Sequence, residues 1–460
     1  MRYTFDKRRD VCYNESVRLI KICNAIERIV MKLNYKRTIL VGFAFFLISA
    51  FWQAYDTIVP LILTNKFLMP QTYSGIIMSL DNIFAVILLP IFGTLSDKTM
   101  TRFGKRTPYI TLGTVFAAFF LIILGYTPTL VLFIFVLLGC LLSMATFRSP
   151  AVALMPDVTV KPLRSKGNAI INLMGTAGGM LVLGFGIVFK TSTAGKTDFS
   201  VYLISVSVLM IAALVVFLLT VKEPLWSREA DEENEKLDRE NAAKQEAKDE
   251  APVSFGKLSK SEFTSLILIL ASVALWYIGY NAITSKYSVY ATEVLKVPYT
   301  VTLLVAQGAA IVSYVPVGII ASKFGRKKTI LAGVLMLTTA FATASFIKEG
   351  TDPIVMYLLF SLAGIGWATI NVNSFPMVVE LAKGGDVGKY TGFYYTASMT
   401  AQIVTPILSG FLVDQIGWHI FFPYAAFFAG CAFITMFFVK HGDSKPEAQG
   451  ALEALAGADD

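Results

Sequence analysis

Apolar stretches of about twenty residues or more, each long enough to cross roughly 30 Å of hydrocarbon, recur twelve times along this chain. They begin near Thr38, Tyr73, Thr107, Leu130, Asn168, Val201, Phe263, Thr300, Thr329, Ile354, Tyr390 and Trp418. A chain of 460 residues that is 55% hydrophobic and only 16% charged has more apolar surface than a soluble core of that length hides, so lipid must cover the excess. The sequence therefore predicts an all-α membrane protein with twelve transmembrane helices. The first stretch is long enough to span and has no small-residue cleavage site after it, so it reads as a retained anchor and not a secretory signal.

An even number of spans puts both termini on one side, and lysine and arginine decide which. About 33 of the 40 lie in the N-terminal arm, the even-to-odd loops and the C-terminal tail, which predicts cytoplasmic termini. The net charge of +8 is thereby assigned to topology, and no nucleic-acid partner is expected. The predicted organisation is a basic N-terminal arm (1–37), a six-helix bundle (38–221), a charged cytoplasmic linker (222–262), a second six-helix bundle (263–440) and a tail (441–460). In the arm, Val17, Ile20, Ile22, Ile26, Ile29, Val30 and Leu33 recur near helical spacing among Arg18, Lys21, Arg28 and Lys32, a pattern that fits an interfacial helix on an anionic leaflet and equally fits disorder. The linker segment READEENEKLDRENAAKQEAKDE mixes charges without an aromatic, and composition favours a solvated tether over a regulatory platform. Cys12, Cys23, Cys140 and Cys431 show no metal or redox spacing, so no metal site or cofactor is expected.

The two halves repeat each other. Placing Gly93 on Gly318 aligns PIFGTLSDKTMTRFGKR with PVGIIASKFGRKK. The stretch Ala145–Asp157, ATFRSPAVALMPD, lies without a gap on Ala368–Glu380, ATINVNSFPMVVE, pairing Asp157 with Glu380 and Arg148 with Asn371. WQAYDT and WYIGYNA pair Tyr55 and Asp56 with Tyr280 and Asn281. Such pseudo-symmetric duplication places a solute cavity between the bundles near the membrane midplane, which leaning helices expose to each side in turn.

The segment GTLSDKTMTRFGKRTP, Gly93–Pro108, resembles the cytoplasmic loop motif of the major facilitator superfamily. Its D-x-x-x-x-R-F-G-K-R-x-P form, together with PAVALMPD at Pro150–Asp157, is similar to that of the glycoside-pentoside-hexuronide:cation symporters and the sucrose-transporter branch. The resemblance runs from about Lys36 to Lys440. It implies a major facilitator fold in the cell membrane and cation-coupled symport of a small neutral sugar, with a sucrose- or maltose-like di- or oligosaccharide and H⁺ ahead of Na⁺. The melibiose-type members carry two second-span aspartates where this chain has Ala85 and Leu89, and plant sucrose carriers an arginine where it has Val152. Physically, Gly93 permits close helix approach, and Asp97 stands where a carboxylate engages Arg102, Lys105, Arg106 or a helix N-terminus. Gly93, Asp97, Arg102, Gly104, Lys105, Arg106, Asp157 and Glu380 are thus candidates for a conformational latch, although Lys105 and Arg106 also serve topology alone. Ser322 occupies the second-half position of the aspartate, so the latch is expected to be stronger in the first half.

Ionised side chains at membrane depth cost at least ~2.5 kcal/mol on insertion scales and those that remain usually face a cavity. Asp56, Asp81 and Arg148 stand out, all in the first half, against Asn281, Ala306, Gln307 and Asn371 in the second. Burial favours the protonated form of a carboxylate, which makes Asp56 and Asp81 candidate ion-coupling groups with Arg148 as modulator. A static buried pair is the alternative. At ~1.5 Å per residue, both aspartates fall in the outer half and Arg148 in the inner, beyond direct reach. Candidate solute contacts are Trp52, Gln53, Trp276, Tyr280, Asn281, Gln307, Trp367, Asn371, Asn373, Tyr394 and Gln402, since flat rings suit pyranose faces and amides suit hydroxyls. Lys286 is expected to snorkel to the outer face.

Two other readings remain. Drug or metabolite exporters often carry a glycine-proline motif in the fifth span, whereas here it reads NLMGTAGGMLVLGFGIVF, glycine-rich without proline. A non-transporting sensor would signal through the linker or arm. An enzyme is not expected: His419 and His441 are the only histidines, and there is no nucleophile or nucleotide-loop motif.

Overall fold

The computed structural model describes residues 33–245, 259–381 and 387–442. Thirteen α-helices and no strand are present among them: α1 (Tyr35–Leu61), α2 (Gln71–Lys98), α3 (Thr107–Tyr126), α4 (Leu130–Asp157), α5 (Arg164–Val188), α6 (Ser200–Thr220), α7 (Glu223–Gln245), α8 (Lys260–Val289), α9 (Tyr299–Phe324), α10 (Arg326–Ala344), α11 (Pro353–Val379), α12 (Val387–Ile416) and α13 (Phe421–Phe437). The interfacial helix expected in the basic arm falls on residues outside the described set, as does most of the tail.

Helix starts carry their own chemistry. The Asn34 side chain accepts from the Arg37 amide, Thr129 from Leu132, and Ser259 with Glu262 forms a reciprocal capping box at α8, each satisfying amides that lack an intrahelical partner. Eleven helices are long and apolar enough to cross a membrane. The exceptions are α7, which is the charged linker helix, and α10, whose 19 residues open on Arg326, Lys327 and Lys328. Phe116, Phe135, Val208, Leu335 and Phe427 are exposed around the outside, as lipid requires.

The sequence repeat is also a packing repeat. In the first half α1 packs on α5 and α6, α4 on α2 and α3, and α3 on α6. In the second, α8 packs on α12 and α13, α11 on α9 and α10, and α10 on α13. Thus α10 holds the place equivalent to α3. Even the irregularities match: α1 and α8 each run on into a π-helical turn (Ile62–Lys66 and Tyr290–Leu295), each followed by a residue of positive φ (Leu68, Lys296) and a proline leading the next helix. Where lipid removes the hydrophobic drive between helices, small residues permit close approach. A Cβ added at Gly333 would stand 2.8 Å from the Gly366 carbonyl oxygen, and the converse holds as well.

The linker departs from the solvated tether expected of it. Its first part is the helix α7, docked on the first half: Trp226 is buried, the Asn234 side chain accepts from the Lys161 amide at 2.8 Å, Lys161 pairs with Asp238 at 2.7 Å, and Arg37 pairs with Glu229. Helix-forming composition explains the conformation, and Trp226 with a few well-placed polar groups among the charges explains the docking.

Candidate functional site

Between the halves lies a cavity of about 360 Å³, walled by α1, α5, α8, α9 and α11. On α1 it is lined by Ser49, Trp52, Gln53, Asp56 and Thr57, and on α9 by Leu303, Ala306, Gln307, Ala310, Ile311 and Tyr314. Both series follow the spacing of one helix face. Gln307 Nε2 donates to Gln53 Oε1 at 2.6 Å, joining the halves across the cavity wall. Tyr280 and Trp367 stack face to face, with centroids 3.6 Å apart and planes within 4°. Trp52 Nε1 and Gln307 Oε1 have no hydrogen-bond partner among the described residues, which leaves one donor and one acceptor for a ligand.

Of the expected solute contacts, Trp52, Gln53, Tyr280, Gln307 and Trp367 line this cavity. The others do not. Trp276 is fully buried, and Asn371 is buried as well. Asn281 Nδ2 donates to the Tyr277 carbonyl at 2.8 Å, Asn373 Nδ2 to the Thr369 carbonyl at 2.9 Å, and the Tyr394 hydroxyl bonds Ser374 at 2.9 Å. Gln402 is half-buried away from the cavity. Sequence reasoning missed Ser49, Thr57, Thr176, Thr284 and Tyr314. Stepping from Gln53 and Asp56 by one helical turn was the available signal for Ser49.

Asp56 lines the cavity, while Asp81 lies behind it on α2, its Oδ1 accepting from the Asn82 amide at 2.6 Å and from Asn82 Nδ2 at 2.8 Å. Arg148 holds its guanidinium 5.5 Å from the Trp52 ring. No ion pair within 4 Å joins Arg148 to either aspartate among the described residues, yet both aspartates lie within its electrostatic reach, and so does Tyr395 of the other half. The static pair is therefore not formed. The three charges act on one another at a distance, beside the cavity.

At the end bearing the basic loops, Arg106 is 5% exposed and gathers three partners: Asp97 at 2.5 Å, Asp157 at 2.7 Å and Ser96 Oγ at 2.5 Å. Gly93 packs against Ser149, and Arg102 stacks on Phe103 with its guanidinium carbon 4.6 Å from the ring. Glu223, which sequence reasoning overlooked, accepts from the amides of Lys105, Arg106 and Thr107 at 2.6–2.8 Å and from the Thr107 hydroxyl at 2.7 Å. It caps α3 from the linker. Gly104 sits at φ +111° directly against that carboxylate. The second half repeats the theme with Arg326 on Glu380, while Ser322 turns back to the Ile319 carbonyl.

At the opposite end polar contacts join the halves. Asp414 accepts from the Gln71 and Thr72 amides at 2.8 and 2.7 Å and from the Thr72 hydroxyl at 2.6 Å, so the second half caps α2 of the first. Glu293 accepts from Asn65 Nδ2 and the Gly195 amide at 2.8 and 2.9 Å. Gly75 and Gly410 let α2 and α12 cross at backbone contact. The expectation that Lys286 snorkels is overturned: it is 1% exposed and its Nζ donates to the Gln71 carbonyl at 2.9 Å. The first turn of α2 covers it and supplies the acceptor.

Two repeated helix bundles around a cavity, joined by polar contacts between the halves at one end and carrying arginine–carboxylate clusters at the basic loops of the other, agree with a family model that places the chain in the major facilitator superfamily. Within it the chain belongs to the MFS/sugar transport protein family, which matches residues 40–417. Similar solved structures include a peptide transporter POT (13% identity, TM-score 0.65, covering 88% of this chain and 93% of that one). The xylose transporter XylE from E. coli in an inward-open conformation (13%, 0.63, 91% and 98%) and the nucleoside transporter NupG (15%, 0.61, 87% and 98%) are also alike. At such identities the likeness is of fold. Among curated proteins, the chloramphenicol resistance protein CraA of Acinetobacter baumannii is 30% identical over 162 residues, 34% of this chain and 37% of that protein. The MFS-type transporter ppzB of Metarhizium rileyi is 26% identical over 119 residues, 26% and 24%. The matched regions thus span about a third and a quarter of the lengths of these relatives.

Proposed function

We propose that this chain is a secondary transporter of the glycoside-pentoside-hexuronide:cation or sucrose-transporter type, carrying a neutral sugar, di- or oligosaccharide in size, together with a proton by alternating access. In this reading α10 is the ninth of twelve spans, the basic loops and both termini are cytoplasmic, and residues 222–262 join two six-helix bundles in the cell membrane. The observation that carries it is the cavity wall, where the flat Tyr280–Trp367 stack adjoins the Gln53–Gln307 amide pair with an unpartnered donor and acceptor. Ring faces pack on the C–H faces of a pyranose, and amides meet hydroxyls that both donate and accept. Among the described residues no lysine or arginine lines the cavity, which speaks against an anionic solute. Asp56 is the proton site, because its carboxylate lines the cavity without a hydrogen-bond partner among the described residues, and Asp81 and Arg148 tune it from behind.

In this assignment the cavity opens toward the cytoplasmic loops and is sealed outside by Asp414, Glu293 and Lys286. The test is uptake of labelled sugars, sucrose and maltose among them, into vesicles under an imposed inward proton gradient. Accumulation by the wild type, abolished by Asp56→Asn with exchange retained, is the expected result. No accumulation of any sugar under either H⁺ or Na⁺ gradients would sink the symport reading. Export is the second reading, favoured by the likeness to CraA, and it predicts proton-driven efflux of an amphipathic drug such as chloramphenicol from the same vesicles. Gradient-independent silence in both assays would bring the sensor reading forward.

A further inference from the structure

A space larger than the solute cavity lies on the other side of α9. A groove of about 860 Å³ runs along the outer face of α9, flanked by α10 and α11. Its floor is Val305, Gly308, Ala309 and Val312, one helix face, while Ala306, Gln307 and Ala310 on the opposite face line the solute cavity. So α9 is a partition one helix thick between the two spaces. A Cβ added at Gly308 would meet nothing within 4 Å, so the groove is open where most spans pack. From Leu304 to Phe324 it follows about 30 Å of helix at about 1.5 Å per residue, the depth of the hydrocarbon. At its far extent it reaches Met180 of α5, the neighbour of cavity-lining Gly179.

Charge is confined to the loop end. Lys328 lines the groove there beside Phe324, and both Lys328 and Lys323 are exposed, while Arg326 is taken up by Glu380. No acidic side chain lines the groove among the described residues. An apolar channel parallel to the spans with a cationic mouth at the water interface has the chemistry of one ligand class. We propose that an anionic phospholipid from the leaflet at the loop end seats an acyl chain in this groove with its phosphate on Lys328, backing α9 against the solute cavity. A basic side chain near the surface attracts an anionic headgroup by roughly fivefold in affinity, and the confined chain adds burial that a lipid elsewhere on the surface lacks.

The proposal stands whether or not the solute is a sugar. Its test is native mass spectrometry of the full chain in detergent, with added phosphatidylglycerol or phosphatidylcholine of the same acyl chains. The expected result is one retained lipid per protein with phosphatidylglycerol favoured about fivefold, the preference lost in Lys328→Glu and retention of both lipids reduced in Gly308→Trp. Unchanged thermal midpoints in the two variants show that they fold, and a variant that does not is replaced by Lys328→Gln or Ala309→Phe. Equal retention of the two lipids, preference surviving the charge change, or no lipid retained at all would overturn the proposal. So would a protein dimer that disappears in Gly308→Trp, because a second copy would then be the occupant.

Discussion

At the residue scale, Arg106 is the clearest case of a side chain whose partners decide its worth. It is 5% exposed and bridges Asp97, Asp157 and Ser96, so removing its charge leaves two carboxylates facing one another. A fully buried pair broken in this way costs about 3–5 kcal/mol. Here Asp97 is 61% exposed and solvent screens it, so Arg106→Gln should destabilise by about 2 kcal/mol, read as a lowered thermal midpoint in detergent. Asp157→Asn should cost more than Asp97→Asn, because Asp157 is the less exposed carboxylate. The motif spacing made Asp97 and Arg106 legible as candidates. It did not single out Arg106 from Arg102 and Lys105, because which of three basic side chains turns inward depends on where α4 ends.

At the element scale, the linker is where composition misled most. The mixed acidic and basic residues of α7 read as a soluble helix or tether, and Trp226 and Glu223 are what distinguish it from one. Yet Glu223 holds three backbone amides and a hydroxyl at the start of α3. Losing such a cap costs about 1–2 kcal/mol, so Glu223→Ala should destabilise the fold by that amount, read as a lowered thermal midpoint in detergent, with Glu223→Gln restoring part of it. Undocking is a separate event. Trp226→Ala should speed tryptic cleavage after Arg228 and Arg239 several-fold while leaving the bundles intact, and unchanged cleavage would mean that Trp226 does not hold α7 in place. The π-helical ends of α1 and α8 were equally hidden. Their sequences, ILTNK and YATEVL, share no motif, and only the backbone reveals the repeat.

At the scale of the whole molecule, the alternating-access cycle proposed above assigns its energetics to the contacts between the halves opposite the basic loops. In that proposal, opening this end would uncap α2, strip Glu293 of two donors and expose Lys286, contacts present in the conformation described. A change of conformation follows from such differential contacts. Asp414→Ala removes the cap that the second half places on the first. Cap loss of about 1 kcal/mol shifts a two-state balance about fivefold. A cysteine at Leu303, on the cavity face of α9, should therefore react with a membrane-impermeant maleimide from the sealed side about fivefold faster in the Asp414→Ala background, with native cysteines replaced. Equal rates would show that Asp414 plays no part in the seal.

The sequence by itself determined the helical class, the membrane setting, the halves and their repeat, because apolar period, span length and basic loops are local properties that lipid reads directly. It also placed Trp52, Gln53, Asp56, Tyr280, Gln307 and Trp367 among its candidates, since polar and aromatic groups at membrane depth are few. What it left open is which of those candidates share a cavity. Trp276, Asn281, Asn371, Asn373, Tyr394 and Gln402 are of the same types, yet the rotation of each helix leaves them off the cavity wall, the first five buried or bonded to neighbouring groups. Helix rotation, the inward turn of Lys286 and Arg106, the trans cap by Asp414 and the groove behind α9 all depend on neighbours distant in sequence, and only the tertiary structure supplies those.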